Sequence, residues 1–266
     1  MDYIPEPAFE IIFTGTIWRV TSDPAANLLV AELRDGAESL RTFAAVDTFA
    51  GKCLWESPLV SEYPWLTAAA VHQGILYLQA LSGGQPPQPL AVIAVDVATR
   101  QVRWQQPKSS WHRVIDGGVV LMEMGYDGFR YFTLDPQDGK VVQEGPDANS
   151  QLWERPDSEG AVWPVHHPEG SAYASGIARF IENKLGVKPV RAFDYAQKKD
   201  VVVISYYLYH GGKYENYLAL FDHNGHLRWQ QRIAGGLPGA GVNTFFIIEN
   251  LLIFVREKNQ LLGYVL

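Results

Sequence analysis

The stretch Ala94–Trp104, which reads AVDVATRQVRW, decides the fold of this chain because its pattern recurs along the sequence. An apolar run ends at an aspartate, a short turn follows, and the next strand-like run carries a tryptophan. The other aspartates in this phrase are Asp47, Asp135 and Asp222. A unit of this size cannot bury both faces of a small sheet by itself, so neighbouring units must stack. The sequence therefore predicts a repeat architecture.

Two more strand-like runs precede each phrase and give each unit four strands. In the second unit these four runs are Leu66–Val71, Ile75–Leu81, Leu90–Asp96 and Gln101–Gln105. Four short antiparallel strands form one blade of a β-propeller. Runs such as Val201–Ile204 are apolar at every position, as expected of a sheet that is covered on both faces. The pattern favours an all-β propeller over a two-layer sandwich.

The number of blades follows from the spacing of the phrases. The interval from Asp135 to Asp222 is about twice as long as a blade requires, so it holds one blade and an insertion at about residues 145–189. Only three strand-like runs follow Trp229, and Phe9–Phe13 at the other end of the chain can supply the fourth. We therefore predict a five-bladed β-propeller whose last blade is closed by pairing with the N-terminal strand.

The insertion between blades 3 and 4 is predicted to contain a helix. Ser171 can cap its start and Gly186 can end it. Apolar side chains recur every four residues on one face, at Tyr173, Ile177, Ile181 and Leu185. Because this stripe must cover something, we predict a lid over the face of the propeller that carries the long loops. With this insertion, residues 1–266 are predicted to form a single propeller domain.

The repeated residues are interpreted as structural. Aspartate and glycine serve the turn, since aspartate caps backbone donors and glycine tolerates a positive φ. The repeated aromatic residues are predicted to fill the gap between neighbouring blades, and they are Trp55, Trp104 and Trp229. Blade 3 departs from the pattern because Gln143 stands at the aromatic position.

The phrase resembles the pyrroloquinoline-quinone-type repeat of bacterial propellers, in which an apolar run, an aspartate, a glycine turn and a tryptophan recur once per blade. The resemblance covers four of the five predicted blades, and the chain as a whole resembles an uncharacterised bacterial domain family of about this length. Both resemblances imply the propeller fold. The quinone-dependent dehydrogenases with this repeat have eight blades and a vicinal cysteine pair, whereas this chain has one cysteine, Cys53. No quinone and no other cofactor is therefore predicted.

Composition and charge bear on partners and location. The formal net charge is −7, from 29 acidic and 22 basic residues, and the basic residues are scattered. A nucleic-acid partner needs a concentrated basic face, so none is predicted. No apolar run approaches the roughly 18 residues of a membrane span, and residues 1–6 carry no export signal, so no membrane partner is predicted. A single cysteine fits a reducing compartment, and we predict a cytoplasmic protein.

The long loops fall on one predicted face of the propeller, here called the upper face, and long loops on a rigid scaffold favour binding. The predicted innermost strands carry Arg19, Arg113, Arg191 and Asp194. The other candidate ligand-binding residues lie in the insertion or in a loop, and they are Trp153, Arg155, Trp163, His166, His167 and His210. The two adjacent histidines lack a third ligand at a diagnostic spacing, so no metal site is predicted. Five tyrosines between residues 206 and 217 either pack within a blade or form a binding surface.

Two functions from different classes remain open. The first is a non-catalytic binding or scaffold protein that engages a protein or a small anionic ligand on the upper face. The alternative is a five-bladed glycoside-hydrolase-like enzyme, which needs two carboxylates at a fixed distance. Asp194 is the one carboxylate on a predicted innermost strand, against three arginines. This composition favours a binding protein, and no catalytic residue is predicted.

Overall fold

The computed structural model describes residues 6–35, 41–59, 62–63, 65–145 and 160–266. Within these residues the chain forms five antiparallel sheets and one α-helix. The fold class predicted from the sequence is confirmed: an all-β propeller type with five blades, a closing N-terminal strand and one helical insertion between blades 3 and 4. Strands form where apolar and β-branched runs are bounded by turn residues.

The first strand, β1 (Phe9–Ile12), belongs to blade 5. Blade 1 contains β2 (Thr16–Asp23), β3 (Leu28–Arg34), β4 (Arg41–Asp47) and β5 (Lys52–Pro58), with a 3-10 helix at Pro24–Ala26. Blade 2 contains β6 (Trp65–His72), β7 (Ile75–Leu81), β8 (Pro89–Asp96) and β9 (Val102–Pro107). Blade 3 contains β10 (Ser110–Ile115), β11 (Gly118–Gly125), β12 (Gly128–Leu134) and β13 (Val141–Glu144). In each of these sheets the strands are neighbours in chain order.

The remaining two sheets have five strands each. Each contains one short strand from the insertion: β14 (Ala161–Val162) belongs to blade 5 and β15 (Val165–His167) belongs to blade 4. The helix α1 (Ala174–Leu185) comes next. Blade 4 then contains β16 (Val190–Lys198), β17 (Val201–His210), β18 (Lys213–Asp222) and β19 (Leu227–Leu237). Blade 5 contains β20 (Phe245–Ile248), β21 (Leu251–Arg256) and β22 (Gln260–Val265), in the order β1-β22-β21-β20-β14.

The blades group into two compact units. The N-terminal unit comprises residues 13–160 with blades 1 to 3, and the C-terminal unit comprises residues 1–12 and 161–266 with blades 4 and 5. Each unit has cores between stacked sheets: Val30 of blade 1 and Leu78 of blade 2 belong to one buried cluster. A single domain over the whole chain stays a prediction.

Blade 5 is closed by the N-terminal strand, as predicted. Strand β1 pairs antiparallel with β22, and Ile11 lies opposite Leu261. The buried ring of Phe9 covers Gly263, where a Cβ atom would overlap the ring. Glycine is therefore required at this position by a close approach rather than by its backbone angles. The pairing covers the edge of β22, and β1 becomes the end strand of the sheet.

The repeated aspartates lie at turns and accept backbone hydrogen bonds. Each carboxylate accepts a hydrogen bond from the backbone N–H of the residue two or three positions further along the chain, at 2.7 to 2.9 Å. The four aspartates are Asp47, Asp96, Asp135 and Asp222. A residue with positive φ follows in each turn, and these residues are Gly51, Arg100, Gly139 and Gly225. The structural interpretation of the phrase therefore agrees with the geometry of all four turns.

The repeated tryptophans join neighbouring sheets of the same unit. Trp104 Nε1 donates a hydrogen bond to the carbonyl oxygen of Pro136 in blade 3 at 2.9 Å, and Trp55 makes the equivalent bond from blade 1 to blade 2. In blade 4, the ring of Trp229 packs on Tyr264 of blade 5 with their centroids 4.9 Å apart. The aromatic position of the phrase thus serves to pack one blade on the next.

Helix α1 ends as predicted but begins differently. Gly186 has a φ of 67° and donates its N–H to the carbonyl oxygen of Glu182 at 2.9 Å. Tyr173 occupies the N-cap position and no side chain caps the helix, so the prediction of Ser171 as the cap is wrong. The backbone N–H of Ser171 instead donates to the carbonyl oxygen of Pro168 in the preceding turn.

The apolar stripe of α1 covers a sheet face of blade 4. Ile181 is fully buried, and Ile177 and Leu185 are partly buried beside it. The sheet residues in the same cluster come from β16, β17 and β18, and include Phe193, Ile204, Tyr206, Ala219 and Phe221. The prediction that this stripe covers the loop-bearing face is therefore wrong, because the stripe is buried against the apolar sheet face of a single blade.

Residues 161–167, called the strap, add a fifth strand to two sheets. Ala161 of β14 lies opposite Ile248 of blade 5, and Val165 of β15 lies opposite Tyr195 of blade 4. The strand around Asp194 was predicted to be innermost in blade 4, and that is wrong because β15 lies beside it. Strands of two and three residues are too short to show an alternating pattern.

Candidate functional site

Asp194 lies at the centre of a buried polar cluster in the C-terminal unit. Its side chain is 1% exposed. One carboxylate oxygen accepts a hydrogen bond from His166 Nδ1 at 2.7 Å. The other accepts from the backbone N–H of Thr244 at 2.8 Å and from the Thr244 hydroxyl at 2.9 Å. These three residues, here called the Asp194 cluster, link the strap, blade 4 and the segment that leads into β20.

Tyr207 supports the same segment from β17. Its hydroxyl oxygen accepts the backbone N–H of Gly241 at 2.9 Å. Burial raises the pKa of Tyr207 to about 12; the Gly241 N–H partly offsets this, and the charge of Asp194 adds to it. The phenol therefore stays neutral over the physiological range and acts as a fixed hydrogen-bonding group. Its role here is to hold the residues that precede Thr244.

Glu32 of β3 forms a similar buried cluster in the N-terminal unit. One carboxylate oxygen accepts the Thr67 hydroxyl at 2.7 Å and the Ala68 backbone N–H at 3.1 Å. The other accepts two bonds from the guanidinium of Arg34 at 3.1 and 3.2 Å. Arg19 donates to the carbonyl oxygen of Ala68 at 2.9 Å beside it. Glu32, Thr67, Ala68 and Arg34, here called the Glu32 cluster, join blade 1 to blade 2.

Arg191 lies at the exposed end of the β17–β18 hairpin. Its Nε donates to the Tyr214 hydroxyl at 2.7 Å, and its guanidinium carbon lies 5.2 Å from the centroid of that ring. The ring of Tyr209 lies 4.9 Å from the ring of Tyr214 and remains 54% exposed. Hydrogen bonding to Tyr214 is the main cause that raises the pKa of Arg191. We call Arg191, Tyr209, His210, Lys213 and Tyr214 the Arg191 tip.

Two further residues of the predicted set pack against aromatic rings. The ring of Trp163 in the strap stacks on Phe246 of blade 5 with centroids 4.7 Å apart. The ring of His167 lies 5.6 Å from Tyr173 and 6.4 Å from Tyr195. These contacts give both side chains a packing role. Two other predicted residues, Trp153 and Arg155, lie outside the described residues.

The remaining arginines of the predicted set belong to the N-terminal unit. Arg19 of β2 is exposed and bonds a carbonyl oxygen of blade 2, as described above. Arg113 of β10 is half-buried. Its neighbour His112 packs edge-on against Tyr131 at 5.1 Å, and burial together with the Arg113 charge lowers the pKa of His112. The predicted residues are thus divided between two units.

Within the C-terminal unit, the structure brings His166 and Asp194 into direct contact and places Arg191 and His210 at the same hairpin end. Sequence reasoning missed Thr244 and Glu32. Glu32 carried a signal, because a charge inside the apolar run of β3 must find buried partners. Thr244 carried none, since a threonine before a strand is unremarkable.

The residues that the structure describes contain neither a metal-binding group nor a membrane-spanning helix. Within them, no group of three or more His, Cys, Asp or Glu side chains is arranged to hold a metal ion. In the same part of the chain, no helix has both the length and the apolar character needed to cross a membrane.

Two surface clefts lie in the N-terminal unit. One, of about 410 Å³, lies on blade 3 and is bordered by Phe129, Arg130 and Glu144. The other, of about 520 Å³, lies between blades 1 and 2 over Leu66 and Leu78. None of the predicted site residues borders either cleft. The cleft on blade 3 opens beside a sheet edge.

Comparisons with known proteins agree with the repeat. A scan against protein families matches residues 15–177, more than half of the chain, to a family described as outer membrane protein assembly factor BamB. A search of curated proteins finds no match. The chain is similar to a solved structure described as "Structure of Dos1 propeller", with 14% identity, a TM-score of 0.36, and coverage of 98% of this chain and 65% of that one. It is also similar to "Crystal structure of the eukaryotic initiation factor", with 8% identity, a TM-score of 0.34, and coverage of 97% and 55%.

The chain spans less than two thirds of the length of either solved structure. The family match has a direct structural counterpart, because it runs through the aspartate turns and tryptophan contacts of blades 1 to 3. On this match, the chain belongs to the outer membrane protein assembly factor BamB family.

Proposed function

We propose that the protein is a non-catalytic scaffold that binds another protein through the Arg191 tip. The family name supports a protein partner, because an assembly factor engages other proteins. The buried carboxylates of Glu32 and Asp194 also support a scaffold, because both accept hydrogen bonds that join neighbouring sheets. The scaffold supplies rigidity, and the hairpin end supplies the contact surface.

The observation that carries the proposal is a rigid, exposed aromatic–arginine group. Tyr209 exposes half of its surface while its ring is held against Tyr214. Tyr214 is in turn held by the Arg191 guanidinium through a hydrogen bond and a ring contact. Tyrosine and arginine are enriched among residues that dominate binding energy at interfaces. A group that is already ordered loses little conformational entropy on binding.

Charge indicates what the partner carries. Arg191 and Lys213 bring two cations to the tip of a protein whose net charge is −7. Glu169 lies 3.7 Å from the Arg191 guanidinium and is itself exposed, so an incoming carboxylate can replace it. A partner segment with acidic and aromatic residues fits this surface. A small anionic ligand would use the same guanidinium.

The alternative of a glycoside-hydrolase-like enzyme is less well supported. Such an enzyme needs two carboxylates that face a substrate. The buried carboxylates Glu32 and Asp194 instead accept hydrogen bonds from other groups of the protein on both of their oxygens. Their bonding is explained by sheet-to-sheet packing, which favours the scaffold.

Site-specific photocrosslinking in the producing cell tests the proposal. A photoreactive phenylalanine analogue at position 209 is expected to capture a protein, and Arg191→Ala is expected to abolish the adduct. Phe49 is a matched control because it is also exposed, on a turn of blade 1. No protein adduct at position 209, or an equal adduct at position 49, would contradict the proposal.

A second measurement separates a protein partner from a small anion. Inorganic phosphate is titrated while the Arg191 Nε–H resonance is followed by NMR. A protein-binding tip predicts no saturable shift in the millimolar range, whereas saturation there supports a small-anion site instead.

The cytoplasmic location inferred from the sequence stays a prediction. It rests on the single cysteine, Cys53, which fits a reducing compartment. Fractionation of cells that produce the native chain measures it directly, with recovery outside the cytoplasmic fraction as the contrary result.

A further inference from the structure

Strand β13 forms an exposed edge of blade 3. It is the last strand of its sheet, and all four of its residues are exposed to solvent. Val142 is 61% exposed, so it presents an apolar side chain to solvent at this edge. Sheet edges with free backbone groups are templates for pairing with another chain.

This edge lacks the protection found on the two preceding blades. Strands β5 and β9 end at Pro58 and Pro107, and each carries a tryptophan that packs on the next blade. Strand β13 has no proline, and the equivalent of the tryptophan is Gln143, which lies opposite Thr133 and is exposed. Proline is one of the usual means of blocking an edge, and β13 lacks it.

The backbone of β13 offers a donor on its outer side. Gly145 donates its N–H to the carbonyl oxygen of Tyr131, and so faces strand β12. Because successive N–H groups of a strand point to opposite sides, the N–H of Glu144 faces away from β12. An added strand can accept this N–H without disturbing the sheet.

Apolar side chains lie beside this edge at the β11–β12 hairpin. Met124 is 79% exposed, Tyr126 is fully exposed, and Phe129 borders the cleft of about 410 Å³. Met124 and Phe129 are paired across the hairpin, so they form one surface. Together with Val142 they give an added strand apolar contacts close to its backbone hydrogen bonds.

The charge around the cleft is acidic. Glu123 and Glu144 both border it, and Asp127 lies exposed at the hairpin end. The one arginine that borders the cleft, Arg130, is paired with Glu123 at 3.0 Å. Glu144 therefore faces solvent without compensation from Arg130, and a basic side chain on the partner would complement it.

We propose that β13 accepts an extended peptide segment as an added strand, and that this segment alternates apolar residues with lysine or arginine. Backbone pairing to the edge supplies affinity, and the apolar hairpin and Glu144 supply specificity. The site deepens the proposed protein-binding function by adding a second surface of opposite charge preference, but it does not depend on the Arg191 tip.

Fluorescence anisotropy with two labelled hexapeptides tests the proposal on the full chain. The peptide KVKVKV is expected to bind saturably and the peptide EVEVEV at least about tenfold more weakly. Hydrogen exchange is expected to show protection of the Glu144 amide when KVKVKV is bound. No saturable binding of KVKVKV, equal binding of both peptides, or concentration-dependent self-association through this edge would overturn it.

Variants of Glu144 separate the backbone from the charge. Glu144→Pro removes the outward N–H and is expected to weaken KVKVKV binding about tenfold or more. Glu144→Gln keeps the N–H and removes only the charge, so a smaller loss is expected. Thermal unfolding of both variants checks that the exposed edge has not disturbed the fold. Equal binding by wild type and Glu144→Pro would overturn the proposal.

One further variant keeps the two proposals apart. Tyr209→Ala, in the Arg191 tip, is expected to leave KVKVKV binding unchanged. Loss of peptide binding in this variant would overturn the assignment to β13, whereas loss of the photocrosslink alone would concern only the Arg191 tip.

Discussion

The N-terminal and C-terminal units join neighbouring sheets with the same chemistry but from different strands. In the N-terminal unit, Glu32 of the second strand of blade 1 reaches Thr67 and the backbone of blade 2. In the C-terminal unit, Asp194 reaches Thr244 from β16, the strand that precedes β17. In both, one carboxylate oxygen accepts a threonine hydroxyl and a backbone N–H. In both units a buried carboxylate accepts hydrogen bonds from the threonine and the backbone of the neighbouring blade. The strand that supplies this carboxylate differs between the two units.

The register of the sheets explains why the strand changes. Glu32 is the fifth residue of β3, and the fifth residues of β7 and β17 are Gln79 and Ser205. Gln79 accepts the N–H of Trp111 in the next blade at 2.7 Å, as Glu32 does for its neighbour. A serine is too short for this reach, and the Ser205 hydroxyl accepts from Asn216 within its own sheet. Asp194 lies directly opposite Ser205 and supplies the missing acceptor.

Removing strand β1 is expected to have the largest effect, because it opens the C-terminal unit. Deletion of residues 1–12 uncovers β22 and leaves Gly263 without the ring of Phe9. We expect loss of the cooperative unfolding transition and aggregation, since one strand of a blade is worth a large part of a total stability of about 5 to 15 kcal/mol. Circular dichroism melting and size-exclusion chromatography measure this.

Deletion of residues 1–7 is the matched control, because it shortens the chain and retains β1. It should melt close to the wild type. A soluble and cooperatively melting protein that lacks residues 1–12 would show that blade 5 does not need its closing strand.

Asp194→Ala is expected to lower the free energy of unfolding by about 3 kcal/mol, because buried donors lose their acceptor. Glu32→Ala is expected to cost a similar amount for the same reason. The comparison is sharpened by the double variant Asp194→Ala with Ser205→Gln, which moves the acceptor to the second strand as in blade 2. Chemical denaturation measures all three.

The double variant should recover at least about 1 kcal/mol of the lost unfolding free energy if an acceptor for the neighbouring blade is all that is needed, whichever strand supplies it. A double variant that is less stable than Asp194→Ala would mean that the strap contact with His166 is the essential part of the Asp194 cluster.

The turn glycines give a smaller contrast between the units. Gly139 and Gly225 have φ values of 69° and 72°, and each lies in the aspartate turn of its repeat, four residues after Asp135 and three residues after Asp222. A Cβ at Gly139 would lie 2.6 Å from the buried Trp104 ring, whereas one at Gly225 would meet the Lys184 side chain and the edge of the Phe180 ring at 3.3 Å. Gly139→Ala is therefore expected to cost about 2 kcal/mol and Gly225→Ala about 1 kcal/mol, measured by urea unfolding. Equal costs would show that backbone strain alone decides.

The repeat made much of this fold predictable and left its irregular parts obscure. The aspartate turns and Trp104 could be predicted because one residue type recurs at one place, and closure by β1 followed from the missing fourth strand of blade 5. The strap could not, because strands of two and three residues have no periodicity. The apolar stripe of α1 was predicted, but the surface that it covers was not. The apolar residues of blade 4 give the same sequence pattern whether another blade or a helix covers them.

The candidate site shows the same limit. Arg191 was predicted as a binding residue on an innermost strand, whereas its contacts are with Tyr214 and Glu169 at a hairpin end. Side-chain partners that come from other strands leave no local pattern. His166 and Asp194 were both identified, yet only the register of β15 on β16 places them opposite each other.

The smallest expected effect concerns pH and compares the turns of blades 2 and 4. Hydrogen bonds from Arg103, and next from the Thr99 N–H, lower the pKa of Asp96 to about 2. Since this lies below the unfolded value of about 3.9, the ionised carboxylate stabilises the fold above about pH 4, and the contribution is lost as the pH falls towards 2. With the side chain 18% exposed, solvent screening leaves about 1 kcal/mol.

Urea unfolding between pH 2 and 5 is expected to show this loss in the wild type and a flatter profile in Asp96→Asn. The pKa of Asp222 is also lowered, but first by the backbone N–H of His226 rather than by a cationic side chain. Asp222→Asn should therefore flatten the profile less than Asp96→Asn does. If the two variants flatten the pH profile equally, Arg103 contributes no acid-dependent stability beyond that of the backbone hydrogen bonds in the turn. The turns of blades 2 and 4 would then lose the same stability at low pH.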